Sequence, residues 1–163
     1  MNSSFLPNVQ CKTLIFAFCL LSFSVAGFAQ KQAIFPKGAN PAGPYSPGIR
    51  AGNTLYVAGQ IGRNSQGQIP DNFEEEVKAC LENIRTILAE AGADFQRAVA
   101  VQVYLTDMEL FDRMNKIYMT YFPEPRPART TVGVAKLVGK SRIEITVTAD
   151  LTGVKKPSVK KKQ

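Results

Sequence analysis

The sequence predicts an α+β domain in which one sheet carries two helices on a single face. Strand-like runs and helical segments follow one another in the order β-β-α-β-α-β-β, and both helices have one apolar side. The last strand is apolar on one face only, as in a sheet covered on one side. With 163 residues, the chain is long enough for one domain with a buried core.

The first part of the domain is poor in regular structure. Residues 31–53 are rich in Gly, Pro, Ser and Asn, which predicts a loop with one short strand near Ser46–Arg50. Thr54–Gln60 is a compact β-prone run and predicts the next strand.

The first helix has the clearest pattern in the chain. Asp71 or Asn72 is expected to supply the N-cap, Asn72 and Glu75 have the spacing of a capping box, and Gly92 is placed to end the helix. Between them, apolar residues recur with the period of a one-sided helix: Phe73, Val77, Cys80, Leu81, Ile84, Ile87, Leu88 and Ala91.

The second half repeats the alternation of strand and helix. Ala98–Leu105 predicts a strand, and a second helix is expected to begin at Asp107 and to end before Pro123. Two strands, Thr130–Ala135 and Arg142–Leu151, are expected to close the fold.

The last strand leaves one face of the sheet without a cover. Its apolar face carries Ile143, Ile145, Val147 and Ala149, whereas the other carries Glu144, Thr146, Thr148 and Asp150. Two helices cover only one face, so the second face would be wet in a monomer. We therefore expect the chain to associate with copies of itself through this face.

Composition excludes several classes of catalytic site. The chain has no histidine and three cysteines, so neither a Ser-His-Asp triad nor a His-ligated metal site is possible. Catalysis would have to rest on Arg, Lys, carboxylates, hydroxyl groups or the backbone.

The N-terminal segment is typical of an export signal. Residues 1–29 contain one lysine, Lys12, followed by an apolar stretch and small residues before Gln30, which predicts cleavage after Ala29 and an exported, periplasmic or secreted protein. An uncleaved membrane anchor is the alternative. Removal of this segment leaves one cysteine, Cys80, which is expected to be an inert core thiol.

The positive net charge belongs mainly to the C-terminus. Five of the 20 basic residues lie in the last nine positions and one in the N-terminal segment, which leaves 14 basic against 13 acidic residues. We expect a folded domain over residues 30–153 and a disordered lysine-rich tail over residues 154–163. A nearly neutral domain does not favour a specific nucleic-acid partner.

Three polar residues are candidates for a site. Arg129 follows a proline-rich loop and could hold a carboxylate or a phosphate through two hydrogen bonds, or it could form an ordinary ion pair. Glu144 is a carboxylate inside a strand and could activate water if an interface covered it, or it could simply face solvent. Tyr45 lies in a tight turn, where its ring could form a pocket wall or merely pack.

Six motifs together resemble the Rid (YjgF-type) family. They occur in the family's order over about residues 34–151: GPYSPG (43–48), AGQI (58–61), ENIRTILAEAG (82–92), VYLTDMELF (103–111), PART (127–130) and IEITVTA (143–149). The resemblance implies a chorismate-mutase-like fold and a homotrimer with clefts between subunits. It also implies hydrolysis of 2-imino acids, such as the tautomer of 2-aminoacrylate and 2-iminobutanoate, to 2-oxo acids and ammonia without a metal or an organic cofactor.

The resemblance also assigns roles to particular residues. Arg129 matches the arginine that grips the substrate carboxylate, and Glu144 matches the glutamate that positions the attacking water. Gly59 matches the glycine whose carbonyl accepts from the imine nitrogen, and Tyr45 matches the pocket tyrosine. Asn115 matches an asparagine near the cleft.

Three positions depart from the family's pattern. Ala58 stands where many members have Ser, and Thr131 where many have Cys, so both are expected to alter the wall of the substrate pocket. Arg126 stands where an apolar residue is common and adds a positive charge near Arg129. An exported binding protein for small carboxylates or 2-oxo acids is the alternative to an enzyme, and RNA cleavage or chaperone-like holding is a third possibility.

Overall fold

The computed structural model describes residues 30–39 and 43–155. The expected signal peptide and residues 156–163 of the expected tail lie outside these ranges. No helix within them combines the length and apolar character that crossing a membrane requires.

Six strands and two α-helices make up the domain. The strands are β1 (Lys31–Ile34), β2 (Gly48–Ala51), β3 (Thr54–Ile61), β4 (Ala98–Leu105), β5 (Ala128–Gly133) and β6 (Ile143–Asp150). The helices are α1 (Phe73–Glu90) and α2 (Phe111–Tyr121), and short 3-10 turns precede β4 and α2 at Phe95–Arg97 and Met108–Leu110.

All six strands form one mixed sheet in the order β1-β2-β3-β6-β4-β5. Neighbouring strands are antiparallel except for β4 and β5, which run parallel. This parallel pair requires a crossover, and α2 supplies it. The α+β fold with a single mixed sheet and two helices is therefore confirmed.

Helix α1 begins and ends where its sequence signals predict. The Asn72 side chain accepts a hydrogen bond of 2.9 Å from the backbone N–H of Glu75. Gly92 follows the last turn with a φ of 77°, in the left-handed region that glycine enters without a steric penalty. The predicted apolar stripe of α1 is buried.

Helix α2 starts later than predicted. Asp107 does act as a cap, but it accepts from the N–H of Glu109 at 2.9 Å and caps the 3-10 turn rather than the α-helix. The α-helix itself starts at Phe111 and stops at Tyr121, two residues before Pro123. A short 3-10 turn at the start of a helix follows the same polarity pattern as the helix, so periodicity alone did not separate them.

Two strand predictions need correction. Residues Lys31–Ile34 were expected to be loop but form the edge strand β1, which is held by pairing with β2 rather than by its own β propensity. Strand β5 spans Ala128–Gly133 instead of Thr130–Ala135, because its parallel pairing with β4 runs from Ala100↔Ala128 to Leu105↔Gly133.

The core lies between the helices and one face of the sheet. Ile143, Ile145, Val147 and Ala149 are buried there, as predicted, with the apolar face of α1. The opposite face is not covered by any described residue and exposes Tyr56 (52%) and Val132 (41%). We call this second surface the open face.

A buried carboxylate fixes α1 to the start of β6. Glu76 is fully buried and accepts from the backbone N–H and the Nε of Arg142, both at 2.7 Å, and from the Ser141 hydroxyl at 3.0 Å. Arg142 also donates to the Pro70 carbonyl at 2.8 Å. These bonds hold the beginning of β6, two residues before Glu144, against the first turn of α1.

Replacing the buried carboxylate tests this connection. Glu76→Gln removes the negative charge and replaces one carboxylate oxygen with an amide NH2 group, which cannot accept a hydrogen bond from Arg142. We therefore expect the free energy of unfolding to fall by about 3 kcal/mol. Glu82→Gln, which weakens an exposed ion pair with Arg85, should cost less than about 1 kcal/mol. Urea denaturation measures both values, and equal losses would contradict the proposed role of Glu76.

Candidate active site

Glu144 lies against a bulge in β3. The pairing of β3 with β6 shifts register between Val57 and Gln60, and Gly59 occupies this irregular stretch. A Cβ atom built on Gly59 would overlap a carboxylate oxygen of Glu144. The observed position of the Glu144 carboxylate therefore depends on glycine at position 59, because any side chain there would displace that carboxylate.

Side chains around the bulge satisfy its backbone carbonyls. The Gln60 amide donates to the carbonyls of Ala58 at 3.0 Å and Gly59 at 3.2 Å. From α1, the Cys80 thiol donates to the Gln60 carbonyl at 3.0 Å, and the Asn83 amide donates to the Ile61 carbonyl at 3.1 Å. Gln60 and Asn83 were not among the residues predicted for the site, because neither carries a sequence signal for contact with a bulge.

Cys80 is buried, as predicted. Burial raises the pKa of its thiol, and the negative charges of Glu76 and Glu144 raise that pKa further. The thiol therefore stays protonated at neutral pH and acts as a hydrogen-bond donor to the bulge rather than as a nucleophile.

Tyr45 lies in a turn attached to the same strand. The N–H of Ala58 donates to the Pro47 carbonyl at 2.9 Å, which joins the GPYSPG loop to β3. A Cβ on Gly43 would come within 2.6 Å of the Tyr45 ring, so Gly43 lets the ring fold back over the turn. The ring remains 57% exposed. We call Tyr45, Ala58, Gly59 and Glu144 the bulge group.

A separate open cleft of about 750 Å³ contains Arg129. Helix α2 and the segment leading into β5 form its walls, and we call it the arginine cleft. Its lining consists of Asp112, Asn115, Lys116, Tyr118, Met119, Arg126, Pro127 and Arg129. Three basic side chains against one acidic side chain make it a favourable place for an anion.

Aromatic rings support the Arg129 guanidinium. Its central carbon lies 4.6 Å from the ring centre of Tyr118 and 5.6 Å from that of Phe111. Tyr118 in turn stacks on Phe122, with ring centres 4.2 Å apart. This cation–π contact orients the guanidinium while the residue as a whole stays exposed.

Two buried hydroxyl groups near Arg129 have no hydrogen-bond partner among the described residues: those of Tyr118 and Thr131. Tyr118 is 3% exposed and lines the cleft. Burial raises the pKa of Tyr118 to about 12, although the charges of Arg129 and Arg126 act in the opposite direction. At neutral pH the phenol is therefore a protonated donor without an acceptor.

The arginine cleft and Glu144 lie on opposite faces of the sheet. Arg129 pairs with Val101, whose side chain points into the core, and its guanidinium lies over rings of α2. Glu144 pairs with Tyr104 and alternates with the buried Ile143 and Ile145. Because successive side chains point to opposite faces, one protomer does not bring Arg129 and Glu144 together.

The predicted site residues thus form two sets within one chain. Arg129 and Asn115 line the arginine cleft, and Thr131 follows Arg129 by two positions on the same face of β5. The bulge group contains the other four. Within residues 30–39 and 43–155, no cluster of three or more His, Cys, Asp or Glu side chains is placed to hold a metal ion.

A double-mutant cycle tests the contact between Gly59 and Glu144. We expect Gly59→Ala to cost about 1–2 kcal/mol in free energy of unfolding, because the new methyl group must displace the carboxylate. In a Glu144→Ala background the same substitution should cost less than half as much. Equal costs in both backgrounds, measured by urea denaturation, would show that the two residues do not interact.

The unpartnered phenol gives a second prediction. Tyr118→Phe should leave the free energy of unfolding at pH 7 unchanged or slightly higher, since no hydrogen bond is lost. Tyr121→Phe, which loses the 2.8 Å bond to Glu82, should cost about 1 kcal/mol. Between pH 10 and 12 the wild type should lose stability relative to Tyr118→Phe, because its raised phenol pKa opposes ionisation in the folded state. A Tyr118→Phe variant less stable than Tyr121→Phe at pH 7 would contradict this.

Comparison with known proteins identifies several relatives. A family model described as Endoribonuclease L-PSP matches residues 36–151. A RutC family protein of Pyrococcus abyssi is 43% identical over 118 residues, which cover 71% of this chain and 93% of the relative. The 2-iminobutanoate/2-iminopropanoate deaminase of Mus musculus is 44% identical over 105 residues, which cover 63% of this chain and 78% of the relative.

Solved structures with a similar fold also belong to proteins of this kind. RidA from the Antarctic bacterium Psychrobacter sp. PAMC 21119 superposes with a TM-score of 0.70 at 31% identity, covering 73% of this chain and 98% of that protein. E. coli TdcF with bound serine has a TM-score of 0.69 at 30% identity, with the same coverage. The motifs, the fold and these relatives together show that the chain belongs to the Rid/YjgF/L-PSP (RutC) family.

Proposed function

We propose that this protein hydrolyses small 2-imino acids to 2-oxo acids and ammonia, in clefts formed between neighbouring copies of a homotrimer. Relatives at 44% and 45% identity, from mouse and rat, are named 2-iminobutanoate/2-iminopropanoate deaminases. The arginine cleft supplies the observation that carries the proposal. It holds a guanidinium that the rings of Tyr118 and Phe111 orient, which suits the carboxylate of a small acid.

The separation of the two residue sets supports an assembly of several copies. Each protomer presents Arg129 on one face and Glu144 on the other, so a site that uses both must combine two copies. The open face, with Tyr56 and Val132 exposed, is the surface such an assembly would cover. A head-to-tail contact repeated three times closes into a ring with three equivalent clefts.

The proposed reaction begins with orientation of the substrate. Arg129 binds the carboxylate, and the Asn115 amide adds a polar contact at the cleft wall. The Gly59 carbonyl accepts from the imine N–H, beside the bond that it already accepts from Gln60. A carbonyl oxygen has two lone pairs, so both donors can be accommodated.

Hydrolysis then needs only a placed water and a proton acceptor. Glu144 takes one proton from water as the oxygen adds to the C=N carbon, and it passes that proton to the nitrogen to give a neutral tetrahedral carbinolamine. The hydroxyl proton of the carbinolamine then moves to the nitrogen by way of the same carboxylate, the C–N bond breaks as the C=O bond forms, and ammonia and a 2-oxo acid are released. One water is consumed for each imine, and no electrons are exchanged. An imine carbon is already electrophilic, so this chemistry does not need histidine.

RNA cleavage, named in the family description, has less support in this chain. Between the N-terminal segment and the lysine-rich tail, the charge balance is 14 basic to 13 acidic residues. RNA affinity depends on neutralising phosphates. RNA binding that disappears when residues 155–163 are deleted would be a property of the tail.

Export remains part of the proposal. The composition of residues 1–29 supports export with cleavage after Ala29, which would put the activity outside the cytoplasm with only transient membrane contact through the signal peptide. N-terminal sequencing of the protein from its native cell envelope would give Gln30 as the first residue if this is correct.

A trapping assay tests the proposed activity. L-amino-acid oxidase generates 2-iminobutanoate from 2-aminobutanoate, semicarbazide traps it, and the protein should compete with trapping. We expect Arg129→Ala to lower kcat/KM roughly 30-fold or more, and Glu144→Gln to lower kcat by roughly 100-fold with little change in KM. Lys78→Ala, an exposed change on α1, is the matched control.

Two outcomes would overturn the assignment. Full competition by Arg129→Ala would show that the guanidinium does not bind the substrate. Tight binding of 2-oxobutanoate in calorimetry, without any competition by the wild type, would indicate the binding protein instead of the enzyme.

A further inference from the structure

The arginine cleft holds two basic side chains besides Arg129. Its lining includes Lys116 and Arg126, with Asp112 as the one acidic residue of the lining. Glu124, outside the lining, pairs with Arg126 but leaves part of its guanidinium exposed. A monocarboxylic imine engages only Arg129, so Lys116 and the exposed part of Arg126 bear on which acids the cleft selects.

We propose that the cleft accepts four- or five-carbon 2-imino dicarboxylates, and that Arg126 binds their distal carboxylate. The inference rests on the proposed function and assigns a substrate class to the same site. Arg129 would hold the carboxylate next to the imine carbon, as before. Hydrolysis has the same balance: one water enters, ammonia leaves, and a 2-oxo dicarboxylate remains.

The spacing of the two arginines fits such a substrate. Arg126 and Arg129 are separated by three positions, which is roughly 10 Å between Cα atoms in an extended chain. Both side chains reach the same cleft, and Pro127 lies between them on its wall. Proline stiffens the backbone between the two arginines. A cleft of about 750 Å³ has ample room for a five-carbon acid.

Glu124 controls the availability of Arg126. Its carboxylate pairs with the Arg126 guanidinium through Nη1 and accepts from the Arg126 backbone N–H at 3.2 Å. The contact uses one edge of the guanidinium, and the Arg126 side chain remains 42% exposed. Glu124 thus holds Arg126 at the cleft and also competes with a substrate carboxylate for its charge.

Lys116 and Asn115 complete the surroundings of the distal carboxylate. Both lie on α2, in the wall that faces the segment of Arg126, and Lys116 is exposed. An ammonium group on a flexible stem can follow substrates of different length.

The 2-imino dicarboxylates arise when the Cα–N bond of an acidic amino acid is oxidised by two electrons. The reaction that supplies this substrate is therefore an oxidation of an acidic amino acid.

A selectivity ratio tests the proposal. L-glutamate oxidase generates 2-iminoglutarate and L-amino-acid oxidase generates 2-iminobutanoate, each in the presence of semicarbazide. The readout is kcat/KM for 2-iminoglutarate divided by kcat/KM for 2-iminobutanoate. We expect Arg126→Leu to lower this ratio about tenfold or more. Glu124→Gln should raise the ratio, because the Arg126 guanidinium then has no competing carboxylate at Glu124. Lys78→Met, which removes one positive charge from the exposed side of α1, controls for overall electrostatic steering.

The possible results separate the two proposals. A wild type that hydrolyses 2-iminobutanoate but not 2-iminoglutarate, or a ratio that Arg126→Leu leaves unchanged, overturns the dicarboxylate inference and leaves the deaminase intact. If neither imine is hydrolysed, the deaminase proposal fails. Calorimetry then decides about Arg126: binding of 2-oxoglutarate should exceed that of 2-oxobutanoate, and Arg126→Leu should abolish the difference. Circular dichroism confirms that each variant is folded.

Discussion

The alternation of side chains along the central strands is the constraint on which the rest of the structure depends. Odd-numbered residues of β6, from Ile143 to Ala149, are buried under the helices, so Glu144 must point to the open face. The same rule sends Arg129, beside Val101, to the helical face. One chain therefore carries two separate half-sites of the proposed reaction, and the proposal combines the half-sites of two copies.

Each half-site is positioned by a different part of the core. Glu144 depends on the missing side chain at Gly59 and on the buried Glu76–Arg142 contact, which fixes the start of β6. Arg129 depends on the ring of Tyr118, stacked on Phe122. The Tyr118 hydroxyl is buried without a partner among the described residues, while the ring of the same residue supports the guanidinium.

The sequence predicts the elements whose signals are local and repeated. Helix α1 carries a cap, an apolar stripe and a terminal glycine, and its bounds were correct, whereas β1 is stable only through its pairing with β2. Arg129 and Glu144 were candidates from their residue types and positions, and Gly59 was assigned through the family resemblance. Gln60, Asn83 and Tyr118 were missed because their roles arise from a bulge and from ring stacking, which depend on tertiary register and leave no pattern in a single sequence.

The central claim is that Arg129 of one copy works with Glu144 of another, and subunit mixing tests it most directly. Arg129→Ala and Glu144→Gln proteins are each assayed alone and then after unfolding and refolding as an equal mixture. Random assembly places an intact arginine opposite an intact glutamate in about one site in four, so the account predicts recovery of about a quarter of wild-type activity. A mixture as inactive as its components, although native mass spectrometry shows mixed oligomers, would contradict it.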